Sequence, residues 1–506
     1  VAAGAAGAAA SAGTQVVTSV RFYISYPNVL TFHVTMPLGA RGTNSTSRKL
    51  PIVAFPSIDL GSVAGLGFAA WQGLTPNPVV GKTLTALPNV AQNQLDGPVV
   101  FSTPRKKQGQ GPSYALLVGP LSDPITTVHA IDKGTNSLQF GLSQGAAGLP
   151  AGHTMSTVAV LGEGMHDVMQ QYAEVLGKAG SDAADAVDTT NATDVTNTGV
   201  TETAHELYAA PFVAAARIFD PVITHISAWT DNGAYYFWNS FGAGVLPKPG
   251  AILPKWLSTL RANGVNVASL QLDGWWPDNF SPSAKASVFP PGQDFNMFLS
   301  DIGQDGTAGG ATNLMLYRAF FNPKYPSFAA SKCPSTRSPQ GWSYPLGHCA
   351  DAFYTDVFRG MKAASKGLFS SFETDFLSDH LMPTQGLAAD PRGLHDYFKG
   401  MAVAAQAQGI GVQLCLPTAG IVLAAQNWPA ITNARVSSDY ATQATPGLTW
   451  DKTYNIGIGS LLFWAVGLPP SKDIFWTTQK QAGGAFQPGM NPDVELDTVL
   501  AVLSTG

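Results

Sequence analysis

The sequence predicts an N-terminal antiparallel β-sandwich followed by a (β/α)8 TIM-type barrel. Three observations predict it. The first 160 residues carry short apolar or alternating runs between Gly-, Pro- and Asn-rich turns, with almost no helical periodicity. From about Ala214 onward, β-rich runs alternate with helical patterns. Eight such runs can be counted, which is the strand number of a closed barrel. An open doubly wound sheet is the alternative, but no G-x-G-x-x-G or P-loop follows any predicted strand.

In chain order, residues 1–14 (VAAGAAGAAASAG and the next residue) read as a low-complexity tail lacking the basic start and bulky apolar centre of a signal peptide. Residues 15–178 form the predicted sandwich, with strands in SVRFYISY, LTFHVTM, PIVAFPSI, PVVFST, YALLVGPL, SLQFGLS and STVAVLG. A helix near Met165 to Gly177 closes it. Residues 179–213, small and weakly acidic, read as a linker or exposed loop. Residues 214–506 form the barrel, with strands at 234–241, 267–276, 313–321, 367–377, 411–418, 434–440, 473–478 and 499–504. The helices LPKWLSTLRANG, FYTDVFRGMKAASKG and LHDYFKGMAVAAQAQG lie between them, each ending in a Gly suited to the C′ position. The eighth strand falls on the last residues, so the barrel is expected to be truncated after it.

Composition narrows the function. The 506 residues are 45% hydrophobic with 11 Trp, enough for sizeable cores, yet only 12% charged, and the net charge is −5. No basic stripe exists to meet nucleic acid. No run of apolar residues reaches the length of a transmembrane helix. Cys333 and Cys349 bracket a Pro/Gly/Ser-rich excursion that a disulfide would pin; two free thiols are the alternative. Cys415, in GVQLCLP, reads as a buried small hydrophobe. Sequons at Asn44, Asn191 and Asn279, together with the disulfide, point to a secreted or cell-surface glycoprotein.

The chemistry of a barrel sits at the C-terminal ends of its strands. The first strand carries Trp238. The second ends in Asp273-Gly274-Trp275-Trp276, the fourth in Glu373-Thr374-Asp375, the sixth runs Arg435 to Asp439, and the seventh starts at Lys472-Asp473 and reaches Trp476. Carboxylates and indoles therefore gather on one rim of a chain poor in charge. Burying an unpaired carboxylate costs several kcal/mol, so a ligand explains the cluster better than core packing does. Two carboxylates are what glycosidic-bond cleavage requires, and indole faces stack on the C–H faces of sugars. Metal-ligand spacing and H-E-x-x-H are absent, and no cofactor is expected.

The strand ends resemble the raffinose synthase and alkaline α-galactosidase group of glycoside hydrolases, within the wider α-galactosidase clan. FWNSF...LPKWLSTLRANGVNVASLQLDGWW is similar to that group's first βαβ unit, which ends in an I-D-D-G-W-like motif. Glu373-Thr374-Asp375 falls at its K-x-D, ARVSSDY at its R-x-S-D-D, and GLPPSKDIFW at its P-D-W-D-M-F strand. The resemblance runs from Tyr235 to the end and implies a retaining α-glycosidase or transglycosylase. Asp375 would be its nucleophile and Asp439 its acid/base. Leu272 replaces one aspartate of the D-D-G-W pair, Glu373 replaces the Lys, and Ser438 the first aspartate of the acid/base segment. These changes also suit a non-catalytic carbohydrate-binding or structural extracellular protein on the same scaffold.

Each residue has a plainer reading as well. Asp375 could cap a helix, and Asp439 could be a solvated loop residue. Asp273, Trp238, Trp275, Trp276, Arg435, Lys472, Asp473 and Trp476 are assigned to the substrate. Of the two adjacent indoles, at least one belongs to the core. Arg435 could instead pair with Glu373 or Asp439, and Lys472 with Asp473. An ionised Glu373 would repel Asp375 and raise its pKa.

Overall fold

A computed structural model describes residues 16–23, 26–41, 55–59, 61, 65–72, 76–81, 95–104, 113–125, 127–132, 135–142, 148–185, 217–230, 248–303, 312–437, 450–474 and 493–503. Two compact units emerge: residues 1–71 with 79–215, and residues 72–78 with 216–506.

The first unit is antiparallel. Val17–Tyr23 pairs with Tyr26–Met36, which pairs with His153–Gly162. The ladder continues through Ala115–Pro120, Leu95–Ser102, Thr127–Asp132, Ser137–Leu142 and Ser57–Asp59. Alternation places Phe68 and Ala70, Val99 and Phe101, Val118, Leu138 and Phe140 in one apolar cluster. On the other face of Ala115–Pro120, the helix Gly164–Asp185 buries Val168, Met169, Tyr172 and Leu176. Gly119 lies under Tyr172; a Cβ there would stand 2.9 Å from the Tyr172 hydroxyl, so no larger residue fits. That helix outruns its predicted end near Gly177, and the rest of the predicted linker lies outside the described residues. Gly67–Gln72 and Thr127–Asp132 are strands that the sequence reading passed over.

The second unit contains a parallel sheet of seven described strands. They are β1 (Ser227–Ala228), β2 (Ser269–Leu272), β3 (Asn313–Tyr317), β4 (Phe369–Thr374), β5 (Gly411–Leu414), β6 (Ile431–Arg435) and β7 (Pro470–Ser471). Their order in the sheet is their order in the chain, every pairing is parallel, and helices fill the connections. This is the winding of a TIM-type barrel, not of a doubly wound sheet, whose order reverses. β2 and β5 are buried at every position, as expected of strands covered on both faces. Gly264, Gly367 and Gly409, the three predicted helix terminators, take φ of +80°, +86° and +65°.

Three expectations about strands change. β1 precedes the predicted first strand, and 234–241 lies outside the described residues. β6 and β7 begin three residues before their predicted starts. The predicted eighth strand is a helix, Val494–Leu503. Asp493 Oδ1 accepts from the Leu496 N–H at 2.9 Å, capping the first turn. Asp497 and Ala501, four apart, are its buried positions, so the apolar run has helical and not strand periodicity.

Candidate active site

The C-terminal ends of β2 to β7 bring the sequence-selected residues into one network. Asp273 follows β2. Its backbone N–H and the Trp275 indole N–H both donate to the Thr230 hydroxyl, at 3.1 and 3.0 Å. The Thr230 N–H in turn donates to Gln271 Oε1 at 3.0 Å. This fixes the Gln271 amide so that Nε2 donates to both Asp273 Oδ2 (2.9 Å) and Glu373 Oε2 (2.8 Å). Asp273 and Glu373 thus share one amide in a buried pair.

Glu373 and Asp375 are two apart along β4 and its extension. Asp375 Oδ2 accepts from the Tyr317 hydroxyl at 2.9 Å, and Oδ1 from the Phe376 N–H at 2.6 Å. The Cys415 thiol also donates to this carboxyl. Arg435 Nη1 donates to Cys415 Sγ at 3.1 Å, stands 3.5 Å from Asp473 Oδ1, and its Nε donates to Ser437 O at 3.1 Å. A relay Arg435–Cys415–Asp375 therefore backs the carboxylate.

Burial pushes all three inner carboxyls upward. Asp273 is pushed to about 7, mainly by desolvation and further by the Asp375 and Asp473 charges, against the Gln271 and Gly274 hydrogen bonds. Glu373 is pushed well above the usual carboxylate range by burial and then by Asp273. Asp375 is also raised by burial, but Cys415, Arg435, the Phe376 N–H and Tyr317 all favour its ionised form. Burial thus drives Glu373 toward its neutral form, while at Asp375 four donors and charges oppose the same push. The residue after each of Asp375, Cys415 and Lys472 adopts a left-handed backbone: Phe376 (φ 54°), Leu416 (φ 51°) and Asp473 (φ 83°). Such strain in non-glycine residues gathers where surrounding structure dictates the backbone.

Other assignments shift. Trp276 has no exposed surface; its N–H donates to Tyr317 O at 2.9 Å and its ring stacks near Phe295. It is the core member of the indole pair and offers no sugar platform; Trp275 keeps 6% exposure. Arg435 pairs with Asp473. Lys472 is held within the fold. Its Nζ lies 3.0 Å from Asp497 Oδ1, both side chains fully buried, and it donates to Ile474 O. That contact takes Lys472 to the terminal helix and away from a ligand. Cys333 and Cys349 form a disulfide, with Cα atoms 5.5 Å apart. Asn279 is exposed. Asp439, Trp238, Trp476, Asn44 and Asn191 lie outside the described residues, and with them the Asp375–Asp439 separation.

Sequence reasoning missed Tyr317, Cys415, Gln271 and Thr230. Tyr317 is the last residue of β3 and Cys415 the first after β5, so a scan covering every strand end would have found both. Among the described residues, no three His, Cys, Asp or Glu side chains are grouped to hold a metal, and no helix is long and apolar enough to cross a membrane.

No family model and no curated protein matches this chain. Solved structures do. An α-galactosidase from Thermus thermophilus, in complex with stachyose, superposes with a TM-score of 0.51 at 15% identity, covering 97% of this chain and 94% of that one. An α-N-acetylgalactosaminidase from Bifidobacterium bifidum gives 0.50 at 12% identity, covering 96% and 80%. The α-galactosidase of glycoside hydrolase family 36 from Geobacillus stearothermophilus gives 0.48 at 11% identity, covering 97% of this chain but 67% of that one. The chain spans 59% and 63% of two further neighbours. The likeness to the Thermus thermophilus and Bifidobacterium bifidum structures shows the fold alone: an α-galactosidase-like barrel preceded by an antiparallel β domain.

Proposed function

We propose that this protein is a glycosidase for α-linked galactosides of the retaining kind, with Asp375 as nucleophile and Asp439 as acid/base. The observation that carries the proposal is the setting of Asp375. It is a buried carboxyl at the end of β4 that receives hydrogen bonds from Tyr317, Phe376 and Cys415, with Arg435 behind. Asp375 attacks the anomeric carbon as the glycosidic bond breaks, and Asp439 gives the leaving oxygen a proton. Asp439 then takes a proton from water or an acceptor sugar, whose oxygen displaces Asp375 from the anomeric carbon. Transfer to a sugar, as in raffinose synthases, would need only an acceptor that outcompetes water. Asp273, Trp275 and Asp473 with Arg435 line the sugar pocket in this reading, joined by Trp238 and Trp476. Burial pushes Glu373 toward its neutral form, which lessens the repulsion that an ionised Glu373 would exert on Asp375. A disulfide and an exposed Asn279 support secretion.

Asp375→Asn should reduce turnover of an aryl α-galactoside at least about a thousandfold; wild-type rates in this variant would overturn the assignment. Glu373 in place of the expected Lys favours a second reading, a carbohydrate-binding protein without turnover. Galactoside binding by a wild-type protein with no hydrolysis would select that one.

A further inference from the structure

The disulfide-closed excursion after β3 builds a surface that the chemistry above does not use. Ser335–Arg337 pairs with Ser343–Pro345 as a hairpin, and Ser343 is bridged to Phe321, four residues past the end of β3. Trp342 sits at the hairpin turn. Its carbonyl accepts from the Ser338 N–H at 2.9 Å and its own N–H donates to the Ser338 hydroxyl at 3.3 Å. The indole stacks on Phe320 with centroids 3.6 Å apart and planes 17° from parallel, yet it remains 38% exposed. One ring face is therefore covered and the other is presented outward. The row continues to His380, 6.4 Å from Phe320, and to Phe376, which stacks on His380 at 4.7 Å and 10°. Phe376 directly follows Asp375. Gln340 donates to the Asp379 carbonyl at 3.3 Å, joining the hairpin to the turn after β4.

We infer that Trp342, with Phe320, His380 and Phe376 behind it, is a stacking platform for the leaving-group sugars of an oligosaccharide substrate. This rests on the glycosidase reading above. Three features favour a sugar over another occupant. The row is one ring wide, it starts at the residue beside the proposed nucleophile, and the exposed Gln340 and Asp379 flank it with partners for hydroxyls. A pyranose laid on the indole would bury its C–H face there and turn its hydroxyls toward those side chains. The disulfide, the bridge to Phe321 and the close contact of Gly386 with Thr336 hold the platform in place before a ligand arrives.

The test compares stachyose with α-galactosyl fluoride, whose leaving group carries no sugar. Trp342→Ala should lower the ratio of kcat/KM for stachyose to that for the fluoride about tenfold, equivalent to about 1.4 kcal/mol, through KM for stachyose. Trp342→Phe should recover most of the loss, since stacking is retained. An unchanged ratio in Trp342→Ala overturns the platform. If the wild type turns over neither substrate, the hydrolase reading fails, and calorimetric titration with stachyose decides the platform alone. Weaker binding to Trp342→Ala supports it; equal binding, or none to the wild type, overturns it.

Discussion

The Tyr317 hydroxyl stands 2.9 Å from Asp375 Oδ2, joining the ends of β3 and β4. Burial pushes the phenol well above its ordinary pKa, so Tyr317 stays neutral and donates. Its hydrogen bond favours the ionised Asp375. Tyr317→Phe removes that donor, so the carboxyl binds its proton more readily. The acidic limb of the kcat/KM profile should move up by about one pH unit. A pH–rate series on the two proteins reads this directly; a limb that stays in place or moves down contradicts the role.

Burial pushes the Glu373 carboxyl well above its ordinary pKa of 4.5. Between the ordinary and the raised value the folded protein binds more protons than the unfolded chain, so the contribution of Glu373 to stability falls as pH rises. Glu373→Gln has no proton to lose and keeps a carbonyl for Gln271. The two proteins should have similar stability below about pH 4, with the variant gaining steadily above it. Urea melts at several pH values would show the gap; a gap that narrows with rising pH would refute the upward shift.

Lys472 and Asp497 form a fully buried ion pair between the end of β7 and the terminal helix. Removing one partner strands the other charge out of water. Asp497→Asn should destabilise the protein by about 3–5 kcal/mol, whereas Lys472→Met with Asp497→Leu should recover much of that. A double-mutant cycle by denaturant unfolding tests the coupling, and additive losses would argue against it.

The Cys333–Cys349 bridge spans 16 residues of chain. Closing a loop of that size limits the unfolded chain by about 3 kcal/mol. Cys333→Ser with Cys349→Ser should lower the denaturation midpoint accordingly and loosen the hairpin that carries Trp342. Protease cleavage within 334–348 should appear in this variant before it appears in the wild type.

Much of this architecture was legible in the residues, and the exceptions have physical causes. The three helices ending in Gly264, Gly367 and Gly409 were readable because only glycine enters the left-handed region without penalty. Asp273, Glu373, Asp375 and Asp473 stood out as carboxylates at strand ends, and Arg435 as a cation among them. The terminal helix was misread because Val499 to Leu503 is apolar throughout with two valines, while the Asp493 cap that decides the matter lies before it. Lys472 was assigned to the substrate because its partner Asp497 is distant in sequence and reaches it only through the fold. Tyr317 and Cys415 carry no formal charge, so a search led by charge passed over the two side chains that touch Asp375. Trp276 could be told from Trp275 only by packing.

The parallel sheet follows the chain from β1 to β7 without a reversal. Each new strand therefore docks on the one synthesised just before it, and the loop closed at each step is a single βα unit. Closure entropy grows only slowly with loop length, so no late step has to unite distant ends among these seven strands. Emergence from the ribosome and assembly of the sheet can then advance together, from β1 outward.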